Sequence, residues 1–133
     1  MINGTACMSG IGSLLVYKAQ GLLNLAIKTS AFALELVDGF SDSFSENLQK
    51  VRGHKGQIEI ARLMREYLAS SHLIRERKDF QKRIDMGVAG EVKVLSEDVQ
   101  EVYSLRCVPQ VLGPFFDILT KVSRDIFIEI NAC

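Results

Sequence analysis

A handful of residues in this chain are of types that do chemistry, and their spacing decides how each is read. His54 and His72 are the two imidazoles. They lie 18 positions apart, without an HExxH spacing, so both read as solvent-facing rather than as a base or a metal ligand. Cys107 follows Arg106, a neighbour able to lower a thiol pKa, but a Cys near a helix end more commonly packs as a small apolar residue. Gly53 and Gly56 flank Lys55, yet the phosphate-cradling GxxxxGK[ST] spacing is absent and the segment reads as an interhelix loop. Glu97, Asp98 and Glu101 cluster where a helix should begin, and acids there answer the positive end of the helix dipole. No ExxH pair is present, which argues against a di-iron bundle. On this reading the chain has no catalytic residue, no metal site and no cofactor.

The densest functional signal is basic. Between Lys50 and Arg83 there are ten Lys or Arg against four acids, in a chain whose formal net charge is +0. Arg62, Arg65, Arg75, Arg77, Lys78, Lys82 and Arg83 could grip phosphates, with steep salt dependence, but Glu76 and Asp79 interrupt the run and no set of stacking aromatics accompanies it. Charge complementarity, within the fold or toward a protein partner, accounts for it better.

Positioning falls to helices. Pro 2 and Gly 10 in 133 residues leave few breaks, and the length suits one domain. From residue 21 to 40 the chain is apolar enough to suggest a membrane span, yet Lys18, Lys28, Glu35 and Asp38 leave at most nine residues free of charge, short of the ~20 a span needs. At 100° per residue, Asn24, Lys28, Glu35, Asp42, Glu46 and Gln49 fall on one stripe. Ile11, Leu15, Leu22, Ala26, Ala33, Leu36, Val37, Phe40, Phe44, Leu48 and Val51 hold the other side, which Phe32, Leu25, Leu34 and Ile27 widen to roughly 200°. One helix over 9–52 would be about 65 Å long. A compact domain of this size is only about 30 Å across, so either the helix kinks between Gly39 and Ser43, where Ser43 and Glu46 form a capping-box pattern, or a second chain covers the overhang.

After a tail at 1–8 and this long helix, a basic helix is expected over 57–86, its apolar stripe shifting after Ser70-Ser71-His72. Two C-terminal helices then occupy 96–131, broken at Pro109 and Pro114. Cys7, Cys107 and Cys133 share no metal or disulfide spacing, and with no secretory signal visible they point to a reducing, cytoplasmic setting.

The expected fold is therefore all-α, a helical bundle with one very long N-terminal amphipathic helix and three shorter ones. The expected function is a non-enzymatic protein–protein interaction module, an adaptor, chaperone or inhibitor that self-associates or binds a protein partner. Phe32, Leu36, Phe40 and Phe44 would be its burial anchors, and the seven basic residues named above its source of specificity. Two alternatives stand beside it: a basic-helix binder of nucleic acid or anionic membrane, and an enzyme using Cys107 or an unrecognised carboxylate.

Overall fold

The computed structural model describes residues 4–78 and 100–132. All of its regular elements there are helical: α1 (Ala6–Leu36), a 3-10 turn (Asp42–Phe44), α2 (Glu46–Arg52), α3 (Lys55–Leu68), α4 (Tyr103–Arg106) and α5 (Val108–Asn131). The all-α bundle with a long first helix is thus the architecture observed.

The first helix stops sooner than its pattern suggests. Its 31 residues contain no Pro and extend about 46 Å. It ends where Asp38 turns left-handed, at φ 50, and two closing bonds form: Asp38 N–H to Glu35 O at 3.1 Å and Gly39 N–H to Leu34 O at 3.0 Å. That pairing is a Schellman stop, with Asp in the place usually held by Gly. Gly39 is required for a different reason, since a Cβ there would lie 2.5 Å from Leu34 Cδ1. The single helix over 9–52 is therefore two, and the N-cap of α2 is Ser45 rather than Ser43.

Further on, α3 ends at Leu68, well before position 86: Ser71 N–H closes onto Leu68 O, and the Ser71 hydroxyl accepts Leu73 N–H. The shift of apolar stripe after Ser70 marks this exit. Arg75 then runs alongside Phe40 as a one-residue parallel bridge, with Arg75 N–H on Gly39 O at 2.9 Å and Ser41 N–H on Arg75 O at 3.1 Å. Pro109 opens α5 rather than interrupting a helix, and α5 continues through Pro114 to Asn131.

Helix α5 lies antiparallel to α1. Thr5 Oγ1 donates to Glu129 Oε1 at 2.7 Å, and Gln20 Nε2 to Ser123 Oγ at 3.0 Å. It also crosses α3 so closely that a Cβ on Gly56 would stand 2.1 Å from Gly113 O, and one on Gly113 would stand 2.6 Å from Gln57 N. Both glycines are there because backbone meets backbone. The core of Leu23, Ile27, Ala31, Leu34, Phe44, Ile60, Ala61, Met64, Leu68 and Val108 fills the space between the three long helices.

The face of α1 that turns inward is Leu23–Ile27–Ala31–Leu34, not the one centred on Leu22, Ala26, Ala33 and Leu36. A helix apolar over most of its circumference gives periodicity little power to choose between faces. By length and composition α1 is also capable of crossing a membrane, although its inner half is packed against α3 and α5.

Candidate functional site

Three polar side chains share one face where α4 passes into α5. Cys107 joins the two helices at φ −99 and ψ 13, close enough to helical for hydrogen bonding to run on: Cys107 N–H reaches Tyr103 O at 3.0 Å and Val111 N–H reaches Cys107 O at 3.0 Å. Tyr103, Arg106 and Gln110, spaced by three and four, therefore stack along one side. The Arg106 guanidinium carbon lies 5.4 Å from the Tyr103 ring centroid. Its Nε is buried without a hydrogen-bond partner among the described residues, and so is Gln110 Oε1 one turn on. A buried guanidinium N–H and a buried amide oxygen left unserved are costly unless something polar reaches them.

The Tyr103 phenol is pushed above its ordinary range. Its hydrogen bond with the Cys107 side chain is the chief cause, followed by the charge Cys107 carries when ionised, with Arg106 pulling the other way. At neutral pH the phenol therefore keeps its proton.

Open space adjoins this face at Gln110. A groove of about 420 Å³ runs from Gln110 past Gly113 to Asp117, with Arg52, His54 and Gln57 opposite. A smaller cavity of about 200 Å³ lies between Val37, Gln100, Glu101 and Leu105. No group of three or more His, Cys, Asp or Glu able to hold a metal occurs among the described residues.

The residues expected to bind a partner are mostly used inside the fold. Phe40 is 1% exposed and Phe44 0%, so both belong to this chain's interior rather than to an outward anchor. Phe32 and Leu36 do face outward, at 60% and 65%. Arg62 forms ion pairs with Glu59, at 2.6 Å, and with Glu66 on its own helix. These hold its pKa above the ordinary arginine value, the Glu59 hydrogen bond contributing most. Arg65 Nη1 donates to Phe44 O at 2.6 Å. Arg75 and Arg77 sandwich the Phe40 ring at 4.5 and 4.9 Å, and Arg77 Nε reaches Asp42 Oδ2 at 2.8 Å. Lys78 pairs with Glu76. Lys82 and Arg83 lie outside the described residues, as do Glu97 and Asp98. Arg62, Arg65, Arg75, Arg77 and Lys78 thus each meet a group within this chain, as complementarity inside the fold would have it.

None of the expected binding residues lies in the stripe of Tyr103, Arg106 and Gln110, which sequence reasoning passed over apart from Arg106 as a neighbour of Cys107. The available signal was the i, i+3, i+7 run of three polar residues spanning Pro109.

The sequence model of a family described as aromatic amino acid lyase matches residues 1–133. Tyrosine 2,3-aminomutase from Myxococcus sp. is 35% identical over 99% of this chain and 26% of its own length. Histidine ammonia-lyase from Caldanaerobacter subterraneus is 36% identical over 99% of this chain and 23% of its own. Among solved structures, tyrosine aminomutase from Streptomyces globisporus superposes with a TM-score of 0.85 at 35% identity, covering 98% of this chain and 25% of that one. The chain spans about a quarter of the length of the curated relatives it matches. Each match is to an enzyme, which overturns the expectation of a non-enzymatic adaptor, chaperone or inhibitor.

Proposed function

Because the chain belongs to the aromatic amino acid lyase family, we propose that it is one helical unit of an enzyme that breaks or moves the C–N bond of an aromatic amino acid. The named relatives act on tyrosine and histidine. An ammonia-lyase removes the amino group from C2 and a proton from C3, leaving an arylacrylate and ammonia; a 2,3-aminomutase returns the amino group at C3. Both reactions need a grip on the substrate carboxylate, a base that takes the C3 proton and an acid that gives a proton to the departing amine.

The observation that carries the reading is the buried, unserved Nε of Arg106 beside Tyr103. A guanidinium N–H with nothing to donate to suits a carboxylate, whose oxygens accept charge-assisted hydrogen bonds. A neutral phenol next to it is placed to give a proton to the departing amine. Gln110 Oε1, one turn further, suits an ammonium or amide donor.

The reading also covers the outward apolar residues. Phe32, Leu36 and the exposed side chains along the outer halves of α1 and α5 are where a second copy, or the length that the relatives have beyond this match, would pack. The free thiols Cys7 and Cys107 support a reducing, cytoplasmic setting.

Incubating the purified protein with L-tyrosine, L-histidine and L-phenylalanine tests the proposal, with near-ultraviolet absorbance reporting an arylacrylate and chromatography a 3-amino acid. Tyr103→Phe should lower turnover about 10²- to 10⁴-fold, the range of a lost proton-transfer group, and Arg106→Leu should chiefly raise KM. Turnover that Tyr103→Phe leaves intact would overturn the assignment.

A further inference from the structure

The short helix that carries Tyr103 and Arg106 has only four residues, too few to hold its own direction. Its C-terminal end runs on through Cys107 into α5, so its start is what remains to be fixed. Its N-cap is Val102, whose carbonyl accepts Leu105 N–H at 3.1 Å and Arg106 N–H at 3.3 Å, so the placement of 101 and 102 sets the axis of α4. Immediately before that cap, the Glu101 carboxylate reaches across the chain and accepts Phe40 N–H at 2.8 Å.

The donor is fixed from every side. Phe40 is buried, and Arg75 and Arg77 flank its ring. On one side of it Gly39 O takes Arg75 N–H, and on the other Ser41 N–H goes to Arg75 O. In a parallel bridge these two bonds point toward Arg75, which leaves the Phe40 N–H pointing away, and the Glu101 carboxylate is what meets it. The bend before Phe40 is itself tied to α1 by Asp38 N–H on Glu35 O and Gly39 N–H on Leu34 O.

We infer that Glu101 is a positioning residue: by capturing the Phe40 N–H it pins the start of α4 to the end of α1, and so decides where Tyr103 and Arg106 stand. The inference rests on the Tyr103–Arg106 reading of the site. It also gives a role to a carboxylate otherwise explained only as helix N-terminal charge.

Two readouts independent of turnover test it. Amide exchange reports the bond itself: Glu101→Ala should speed exchange at Phe40 at least about ten-fold. The Tyr103 phenol, isolated by subtracting the alkaline absorbance titration of Tyr103→Phe, reports whether Tyr103 still stands over Cys107 one turn on, and in Glu101→Ala, where this short turn loses its anchor, it should fall back toward the ordinary tyrosine range. Glu101→Gln keeps an acceptor oxygen and should restore both. Ser71→Ala cuts a different tie to α1, the 2.6 Å bond from Ser71 Oγ to Glu35, and should lower stability without moving the phenol. If Glu101→Ala does not fold, Glu101→Asp, one methylene short of Phe40, supplies the same comparison. An unmoved Tyr103 titration in Glu101→Ala or Glu101→Asp, or failure of Glu101→Gln to restore it, overturns the role given to Glu101. Movement of the phenol as stated, together with turnover that Tyr103→Phe leaves intact, would overturn the catalytic reading and leave the positioning role standing.

Discussion

The inner and outer halves of the α1–α5 pair are built from the same residue types and differ in what covers them. In the inner half, Leu23, Ile27 and Leu34 meet α3 across the crossing of Gly56 and Gly113, and Phe44 closes the end of the core. In the outer half, Ile11, Leu14, Leu15, Phe127, Ile128 and Ile130 stand exposed, with Thr5–Glu129 and Gln20–Ser123 as polar stitches. Composition does not separate the halves; the third helix does. Where α3 ends, burial ends. The apolar surplus of α1 is thus left uncovered by these residues, while Tyr103, itself 68% exposed, and Arg106 stand beside the end of α1, next to the covered half.

The strongest way to break the comparison is at the crossing. Gly56→Ala would place a Cβ 2.1 Å from a backbone oxygen that cannot rotate away, and should cost about 4 kcal/mol or more, at the exceptional end for one substitution. Gly21→Ala, in the outer half with nothing within 4 Å, should gain about 0.5–1 kcal/mol from helix propensity. Urea unfolding of the two variants measures the contrast, and equal midpoints would show that the crossing does not hold the fold together.

Side-chain truncation is the next largest effect. Phe44→Ala should cost about 3 kcal/mol, because a fully buried ring leaves a cavity that rigid neighbours cannot fill. Phe127→Ala, at a ring 65% exposed, should fall within about 0.5 kcal/mol of the unsubstituted chain as long as nothing covers it. A large loss at Phe127 would mean that the outer half is already covered in solution, and light scattering on the same samples would then report an oligomer.

These contrasts also mark what the sequence could disclose. The helical class was legible from apolar periodicity and the end of α2 from Gly53; the end of α1 at Leu36 was not, because the apolar phase runs on through Gly39 and the expected helix covered 9–52, and Gly56, expected in a loop, lies inside α3. The buried face of α1 was not, since a helix apolar over about 200° offers several faces of similar merit. Phe40 and Phe44, expected as anchors for a partner, lie in this chain's own interior, and the Phe40–Arg75 bridge that turns this segment inward joins residues too far apart in sequence to be read from it. The candidate site escaped for a different reason. Tyr and Arg carry no motif of their own, and their chemistry rests on an orphaned Nε and a thiol neighbour that depend on three-dimensional placement.

The smallest expected effect concerns pH, and it sharpens the comparison because its two edges come from different places. On α3, Glu59 is held below the ordinary carboxylate value, first by its hydrogen bond with Arg62, and on α2 Glu46 is lowered in the same way by Lys50. A depressed acid means that the unfolded chain binds the proton more readily. Its contribution is complete above the unfolded value of 4.5 and is lost as pH falls through the lower folded value. The site contributes the opposite edge. With the Tyr103 phenol raised above 10.0 by Cys107, its contribution is complete below that value and is lost as pH climbs through the folded one. All three groups are substantially solvent-accessible, so screening keeps both edges shallow. Urea midpoints followed from pH 3 to 11 should decline at each end. Glu59→Gln should flatten only the acid edge, and Tyr103→Phe only the alkaline one. An alkaline edge unchanged in Tyr103→Phe would show that the phenol is not held by Cys107.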